Sequence, residues 1–146
     1  MYLIHTDGSC EPNPGIGGWG FTLLECATGV RRDKCGGNVS TTNNRMEMQA
    51  ILEAMRAVPD GEQALIMSDS QYCINGLTIW RPGWKAKGWN KKGSPMINRD
   101  LWLELEAEMS RIKPRFEWVR GHNGDEWNER ADALANDGRL IALGGA

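Results

Sequence analysis

Two apolar runs of strand length each end on an aspartate. Tyr2-Leu3-Ile4-His5-Thr6 runs into Asp7, and Ala64-Leu65-Ile66-Met67-Ser68 runs into Asp69. Between them Met48, Ile51, Leu52, Met55 and Val58 recur at the spacing of one buried helix face. Strand, helix and strand in that order admit a right-handed crossover that lays the two strands parallel. Both aspartates then emerge at the same carboxyl edge, where open sheets build their sites. Glu47 borders the apolar face of the intervening helix, and Asp132 lies early in a final predicted helix. Carboxylates gathered in one pocket repel one another and resist desolvation, so they stay ionised with a cation among them. Oxygen-only ligation, with no Cys/His cluster nearby, points to Mg2+ or Mn2+ rather than zinc. Taken singly, each acid has a plainer reading as a helix cap or a solvated strand end. Their convergence favours metal-dependent hydrolysis of phosphate esters.

The rest of the chain supplies a frame for that edge. Strands are predicted over Tyr2–Asp7, Trp19–Leu24 and Val30–Asn38, joined by short turns as an antiparallel meander. Asn43 or Asn44 is expected to cap a helix reaching about Val58, stopped by Pro59-Asp60-Gly61. The strand 64–68 follows, then a short helix from Ser70 to about Thr78. Residues 80–97, with Pro82, Gly83, Gly88, Gly93 and Pro95, read as irregular. Leu101, Trp102, Leu105, Met109 and Ile112 mark another amphipathic helix, and residues 115–119 alternate as a fifth strand. A Gly-flanked loop at 121–125 leads into a last helix over about 127–137. The expected class is α/β, a five-stranded mixed sheet (antiparallel meander plus parallel strands) flanked by helices. Its 146 residues are read as a single domain, 1–146.

A net charge of −2 argues against a nucleic-acid partner until its distribution is considered. Between Ser70 and Arg99 there are six Lys/Arg residues and no acid at all. Local charge decides phosphate binding. Within that stretch, the segment from Trp80 to Lys92 interleaves three tryptophans with five cations, which a merely solvated face does not explain. No signal pattern or membrane-length apolar run is present, so a cytoplasmic location and no membrane association are expected. Cys10, Cys26, Cys35 and Cys73 show no CxxC pair and are expected to be reduced thiols. Gly15-Ile16-Gly17-Gly18-Trp19-Gly20 satisfies a dinucleotide-binding pattern, but it precedes a strand and offers no helix N-terminus for a pyrophosphate.

Five segments carry a resemblance. Thr6-Asp7-Gly8-Ser9-Cys10, Thr41-Thr42-Asn43-Asn44-Arg45-Met46-Glu47, Ser68-Asp69-Ser70-Gln71-Tyr72, Trp118-Val119-Arg120-Gly121-His122 and Asn128-Glu129-Arg130-Ala131-Asp132 resemble the motifs of type 1 ribonuclease H, in order and spacing. The form most similar is the bacterial one with a basic protrusion. The resemblance implies a ribonuclease H-like fold and an endoribonuclease that hydrolyses the RNA strand of RNA–DNA hybrids without sequence preference. It implies 5′-phosphate and 3′-hydroxyl ends and catalysis by two Mg2+ ions (Mn2+ as an alternative) about 4 Å apart. Asp7, Glu47, Asp69 and Asp132 match the metal-binding quartet, with Asp7 bridging. Asp69 and Glu47 would serve the leaving-group ion, and Asp132 the ion on the nucleophile side. His122 matches the histidine that assists proton transfer or product departure, chemistry an imidazole suits. Glu129 is given a supporting role, and His5 is read as structural. No obligate protein partner is implied, and a monomer is the expected form.

For the substrate, Gly8, Ser9, Cys10 and Asn13 offer small donors and open backbone beside Asp7. Asn43, Asn44 and Gln71 offer amides to sugars and base edges in a shallow minor groove. Thr42 resembles the family's DNA-phosphate pocket. Trp80, Trp84, Lys85 and Lys87 are expected along the DNA backbone, adding affinity by counterion release, while Trp89 reads as packing. Trp19, Trp102, Trp118 and Trp127 read as core or its margin. Two stretches depart from the family's common pattern. The 25–35 connection leaves a phosphate contact there unassigned. Asp125-Glu126-Trp127, more acidic and bulkier than usual, is expected to alter metal affinity or loop mobility.

Overall fold

The computed structural model describes residues 1–122 and 124–145; Asn123, within the predicted loop, and Ala146 lie outside the described residues. In chain order the elements are β1 (Tyr2–Cys10), β2 (Gly15–Glu25), β3 (Val30–Thr41), α1 (Asn43–Arg56), β4 (Gln63–Ser68), α2 (Gln71–Asn75) and α3 (Arg81–Ala86). They continue with β5 (Asn90–Lys91), β6 (Ser94–Pro95), α4 (Arg99–Met109), β7 (Lys113–Trp118) and α5 (Glu126–Gly145). Five strands form one sheet in the order β3-β2-β1-β4-β7, while β5 and β6 pair as a separate hairpin. β1–β2 and β2–β3 are antiparallel, and β4 runs parallel to both β1 and β7. The mixed sheet and the crossover predicted from the two aspartate-ended runs are both present. Among the described residues no helix is long and apolar enough to cross a membrane. The four cysteines are free.

The two faces of β1 receive different helices, and glycines set how close each comes. On one face Ile4, Phe21, Leu23 and Ile66 pack with Met48, Ile51, Leu52 and Met55 of α1 and with Leu101, Trp102 and Leu105 of α4. A Cβ on Gly8 would lie 2.4 Å from the α1 main chain at Met46 and Glu47, so only glycine lets that turn of helix reach the strand. On the other face three rows cross the strands: His5–Thr22–Asp33, Asp7–Gly20–Cys35 and Ser9–Gly18–Gly37. α5 lies over those rows. A Cβ on Gly18 would come within 2.1 Å of the Ala135 carbonyl oxygen, and one on Gly37 within 2.2 Å of the Gly138 oxygen.

Several boundaries differ from the expected ones, each for a local reason. The N-cap of α1 is Thr42, whose Oγ1 accepts from the Arg45 N–H at 3.2 Å, and not Asn43 or Asn44. The short helix predicted to end near Thr78 continues through a widened π-type stretch, Gly76–Trp80, into α3. Pro82 lacks the N–H that would complete the regular pattern with residue 78, and the widening just before it absorbs the misfit. Within the segment expected to be irregular, β5 and β6 form their hairpin. α5 runs eight residues past the expected end at Asp137, to Gly145. Gly138, just past the expected end, supplies close approach, since a Cβ there would sit 2.0 Å from the Gly36 oxygen.

Gly18→Ala tests this seating. The added methyl meets helix backbone and has no flexible side chain to displace, so a loss of about 1–3 kcal/mol is expected in urea unfolding. An unchanged midpoint would mean that α5 does not rest on β2 in this way.

Candidate active site

The pairing of β1 with β4 stops at His5 opposite Met67, while β1 continues to Cys10 against β2. Beyond that last pair the strands diverge. The Thr6 hydroxyl donates to the Met67 carbonyl oxygen at 2.9 Å, and the next residue, Asp7, enters the opening. Asp69 follows the last residue of β4 and enters from the other side. Glu47 arrives from α1 over Gly8, whose N–H donates both to Glu47 and, at 2.9 Å, to Asp7. Carboxylate oxygens of Asp7, Glu47 and Asp69 lie within 4.8 Å of one another. A second group, His122, Glu129 and Asp132, meets the same limit.

An open cleft of about 500 Å3 lies over these groups. Of the expected substrate residues, Gly8, Ser9, Cys10, Asn43, Asn44 and Gln71 line it, together with the four carboxylates and His122. The Cys10 thiol is turned to the carbonyl oxygens of Pro12 and Thr41 (3.2 and 3.5 Å), which leaves its main chain for the cleft. Ser9 Oγ is buried without a hydrogen-bond partner among the described residues. Asn13 stands behind the wall, where its Oδ1 accepts from the Asn43 N–H at 3.2 Å. Thr42 is likewise outside the cleft lining, at the head of α1.

Trp84 and Lys87 line a second groove of about 400 Å3 with Lys91, Lys92 and Tyr72. Tyr72 also lines the main cleft, so the two hollows adjoin there. Trp84 packs against the core and lies 5.0 Å from Trp102 between ring centroids, whereas Trp80 is exposed. Trp89 is buried, as its packing role requires. Lys85 is paired with Glu106 at 3.0 Å. Trp118 is neither core nor shielded margin: it is exposed, and its Nε1 donates to the Asp69 carbonyl oxygen at 3.0 Å.

Electrostatics follow from burial without cations. Desolvation is the largest influence on Asp7 and raises it to about 7, with Asp69 adding repulsion and the Glu47 and Gly8 hydrogen bonds pulling back. Glu47, almost fully buried, is raised well above the carboxylate range by burial first and by Asp7 next. Such a trio of oxygens has the donor chemistry for a hard divalent cation, whose charge would reverse both shifts.

Sequence reasoning passed over Glu11, Ser70, Tyr72, Asn136 and Arg139, all in the cleft lining. For two of them a signal existed. Asn136 and Arg139 stand four and seven residues after Asp132, on the same stripe of a helix. The expected end of that helix at Asp137 hid Arg139, while Asn136 lay within the expected helix and was missed. Tyr72 is placed by packing that the sequence does not announce, its hydroxyl accepting from Asn98 Nδ2 and Trp102 Nε1 at 3.2 Å each.

Comparisons with known proteins agree with the geometry. The family model for RNase H matches residues 1–139. A ribonuclease H of Cupriavidus pinatubonensis (strain JMP 134 / LMG 1197) is 48% identical over 137 residues, covering 93% of each chain. LC9-RNase H1, a type 1 RNase H with the type 2 active-site motif, superposes with a TM-score of 0.82 at 31% identity, covering 99% of this chain and 72% of that one. LC11-RNase H1, solved in complex with an RNA/DNA hybrid, has a TM-score of 0.71 at 23% identity, covering 98% of this chain and 99% of its own. That last likeness is one of fold.

The raised carboxylates have a thermodynamic consequence. The native state binds more protons than the unfolded chain between the ordinary aspartate value of 3.8 and about 7, so metal-free stability falls as pH rises through that window. Asp7→Asn removes the charge that is resisted. In EDTA the variant should therefore melt higher than the unmodified protein at pH 8, and the gap should close towards pH 4. Equal melting curves across that range would remove the case for a desolvated Asp7.

Proposed function

The chain belongs to the ribonuclease H family, and from that premise we propose that it cuts the RNA strand of RNA–DNA hybrids without sequence preference, leaving 5′-phosphate and 3′-hydroxyl ends. The observation that carries this reading is the meeting of Asp7, Glu47 and Asp69 on the floor of the 500 Å3 cleft, with Asp132 and His122 also in its lining. Asp7, Glu47, Asp69 and Asp132 would hold divalent cations, Mg2+ with Mn2+ as an alternative. Such a pair, when bound, supplies an activated water and stabilises the leaving 3′ oxygen and the charge on phosphorus.

The protein's own groups then have distinct tasks. Asp7, on which Glu47, Asp69 and Asp132 all act, would be the carboxylate that serves cations at either acidic group. Ser68 and Trp118 hold its neighbours, through the Ser68 hydroxyl on Glu47 (3.5 Å) and the indole N–H on the Asp69 main chain. His122 is exposed at the cleft, where it would assist proton transfer or product departure. Glu129 supports His122 and Asp132 from the neighbouring turn.

Hybrid recognition divides between the two hollows. Gly8, Ser9 and Cys10 present main chain to the RNA 2′-hydroxyls, and Asn43, Asn44 and Gln71 present amides to sugars and base edges. Asn13 fixes Asn43 from behind. Thr42 accepts a hydrogen bond as a cap yet keeps its own O–H for a DNA phosphate. Along the adjoining groove Trp84 and Lys87 follow the DNA backbone, with Trp80, 5.6 Å from Trp84 between ring centroids, and Lys85, paired with Glu106, outside its lining. One chain supplies every group named, so a monomer suffices and no protein partner is needed.

Incubation with a hybrid labelled on its RNA strand, beside matched RNA and DNA duplexes, tests the reading. Mg2+-dependent cutting of hybrid RNA alone is expected, and Asp69→Asn should lower it more than about 100-fold. Binding without any cutting would make the protein a hybrid-binding module instead. Replacing Lys85, Lys87, Lys91 and Lys92 by alanine should weaken binding and flatten its salt dependence by about 0.7 to 0.9 log units per lost phosphate contact. Turnover at saturation should hold; if it collapses, the basic segment belongs to the catalytic machinery.

A further inference from the structure

The two stretches that depart from the family's common pattern, 25–35 and 125–127, meet in the fold. Arg31 and Asp33 lie two residues apart on one face of β3, Asp33 in the row of Thr22 and His5 and Arg31 in the next row, with Leu24 and Leu3. The Arg31 guanidinium sits 3.3 Å from the centroid of the Trp127 ring, and its Nη1 donates to Thr22 Oγ1 at 3.0 Å. Asp33 pairs with Arg130 at 2.8 Å. His5, buried beneath, comes within 3.8 Å of Asp125. Asp125 in turn accepts from the N–H groups of Trp127 and Asn128 at 3.0 Å each, capping α5. Three strands of the sheet thus hold the residues directly after the loop that carries His122.

That loop needs holding. His122 has a left-handed backbone (φ 52°), unfavourable for a residue with a side chain, and Gly124 follows at φ 82°. Such conformations persist where the surroundings over-determine them. The other end of the loop is fixed to β4, because the Val119 N–H donates to the Ser68 carbonyl oxygen at 2.9 Å. A guanidinium stacked on indole and fixed by a hydrogen bond is a directional contact, stronger than a surface charge pair. We infer that Arg31 and Trp127, with Asp33–Arg130 beside them, are positioning residues that hold the His122 loop in its working geometry over the carboxylates. The acidic and bulky sequence at 125–127 is then a fastening: Asp125 caps, and Trp127 is the surface that Arg31 grips. The kinetic part of this inference rests on the ribonuclease reading; the ordering of the loop does not.

Two measurements decide it. Amide hydrogen exchange over residues 119–128 should quicken roughly tenfold in Trp127→Ala and in Arg31→Ala, while β1 and β4 stay protected. Unchanged exchange in that segment overturns the clamp, whether or not the protein cleaves anything. In the hybrid assay Trp127→Ala should lower kcat about tenfold with KM within about twofold. Trp127→Phe, which keeps an aromatic face for Arg31, should recover most of the loss. In a His122→Ala background the same Trp127→Ala change should cost nothing further, because there is no imidazole left to misplace. A full additional loss in that background would show a general structural effect and refute the positioning role. An unmodified protein that leaves hybrid intact would sink the ribonuclease reading, with the exchange result still deciding the clamp.

Discussion

Parallel pairing of β1 with β4 is the constraint from which the site follows. Tyr2 opposite Ala64 through His5 opposite Met67 is a short ladder in the middle of the sheet, and its register decides which way Asp7 and Asp69 emerge. A slip of one residue would turn every side chain of β1 to the other face. Ile4 would leave the α1 side, and Asp7 would be driven into the core against Met48 and Ile51. Burial of Ile4 and Ile66 on one face and close glycine packing on the other make that slip prohibitive. The hydrophobic core therefore fixes the position of the carboxylates without touching their chemistry.

The carboxylates themselves oppose the fold that holds them. Glu47 is buried among like charges, and Asp7 is shifted to about 7 by the same surroundings. One main-chain N–H, that of Gly8, serves both, and it reaches Glu47 only because Gly8 lets α1 approach. Stability given up at the carboxyl edge is offset elsewhere, in the apolar layer between the sheet and α1 and α4. That division is a common one: strain and unpaired charge collect where chemistry is done, and the surrounding core tolerates them.

Much of this was legible in the residues. Apolar alternation and helix periodicity gave the strands, α1 and α4, and the aspartates at the ends of two runs marked the edge. What escaped the sequence was decided by contacts between distant elements. The last helix reads as ending at Asp137, yet Gly138 lets α5 pass over Gly36 and continue, and so Arg139 was lost from view. Pro82 reads as a break, yet a widened helical stretch accommodates it and α3 continues. Trp118 reads as core or its margin, yet it lies exposed on an edge strand, bonded to the main chain of Asp69. In each case a residue with a strong local meaning was put to a tertiary purpose.

The aromatic residues show how that purpose links the basic segment to the carboxyl edge. Trp84 contacts Trp102 at 5.0 Å, Trp102 meets Tyr72 edge-on at 5.6 Å, and Tyr72 lines both hollows. Tyr72 follows Gln71 at the start of α2, so only Ser70 and Gln71 separate Asp69, a metal-binding candidate, from the start of this stack. The stack has its anchor in Trp102, which is 1% exposed. A cationic segment carried on long flexible side chains would otherwise wander relative to the carboxylates. Fixing its base through a buried indole sets the spacing between the lysines of the second groove and the carboxylates of Asp7, Glu47 and Asp69. On the proposed reading, the lysines' contribution is to affinity, a uniform binding that is felt in KM and leaves turnover at saturation unchanged.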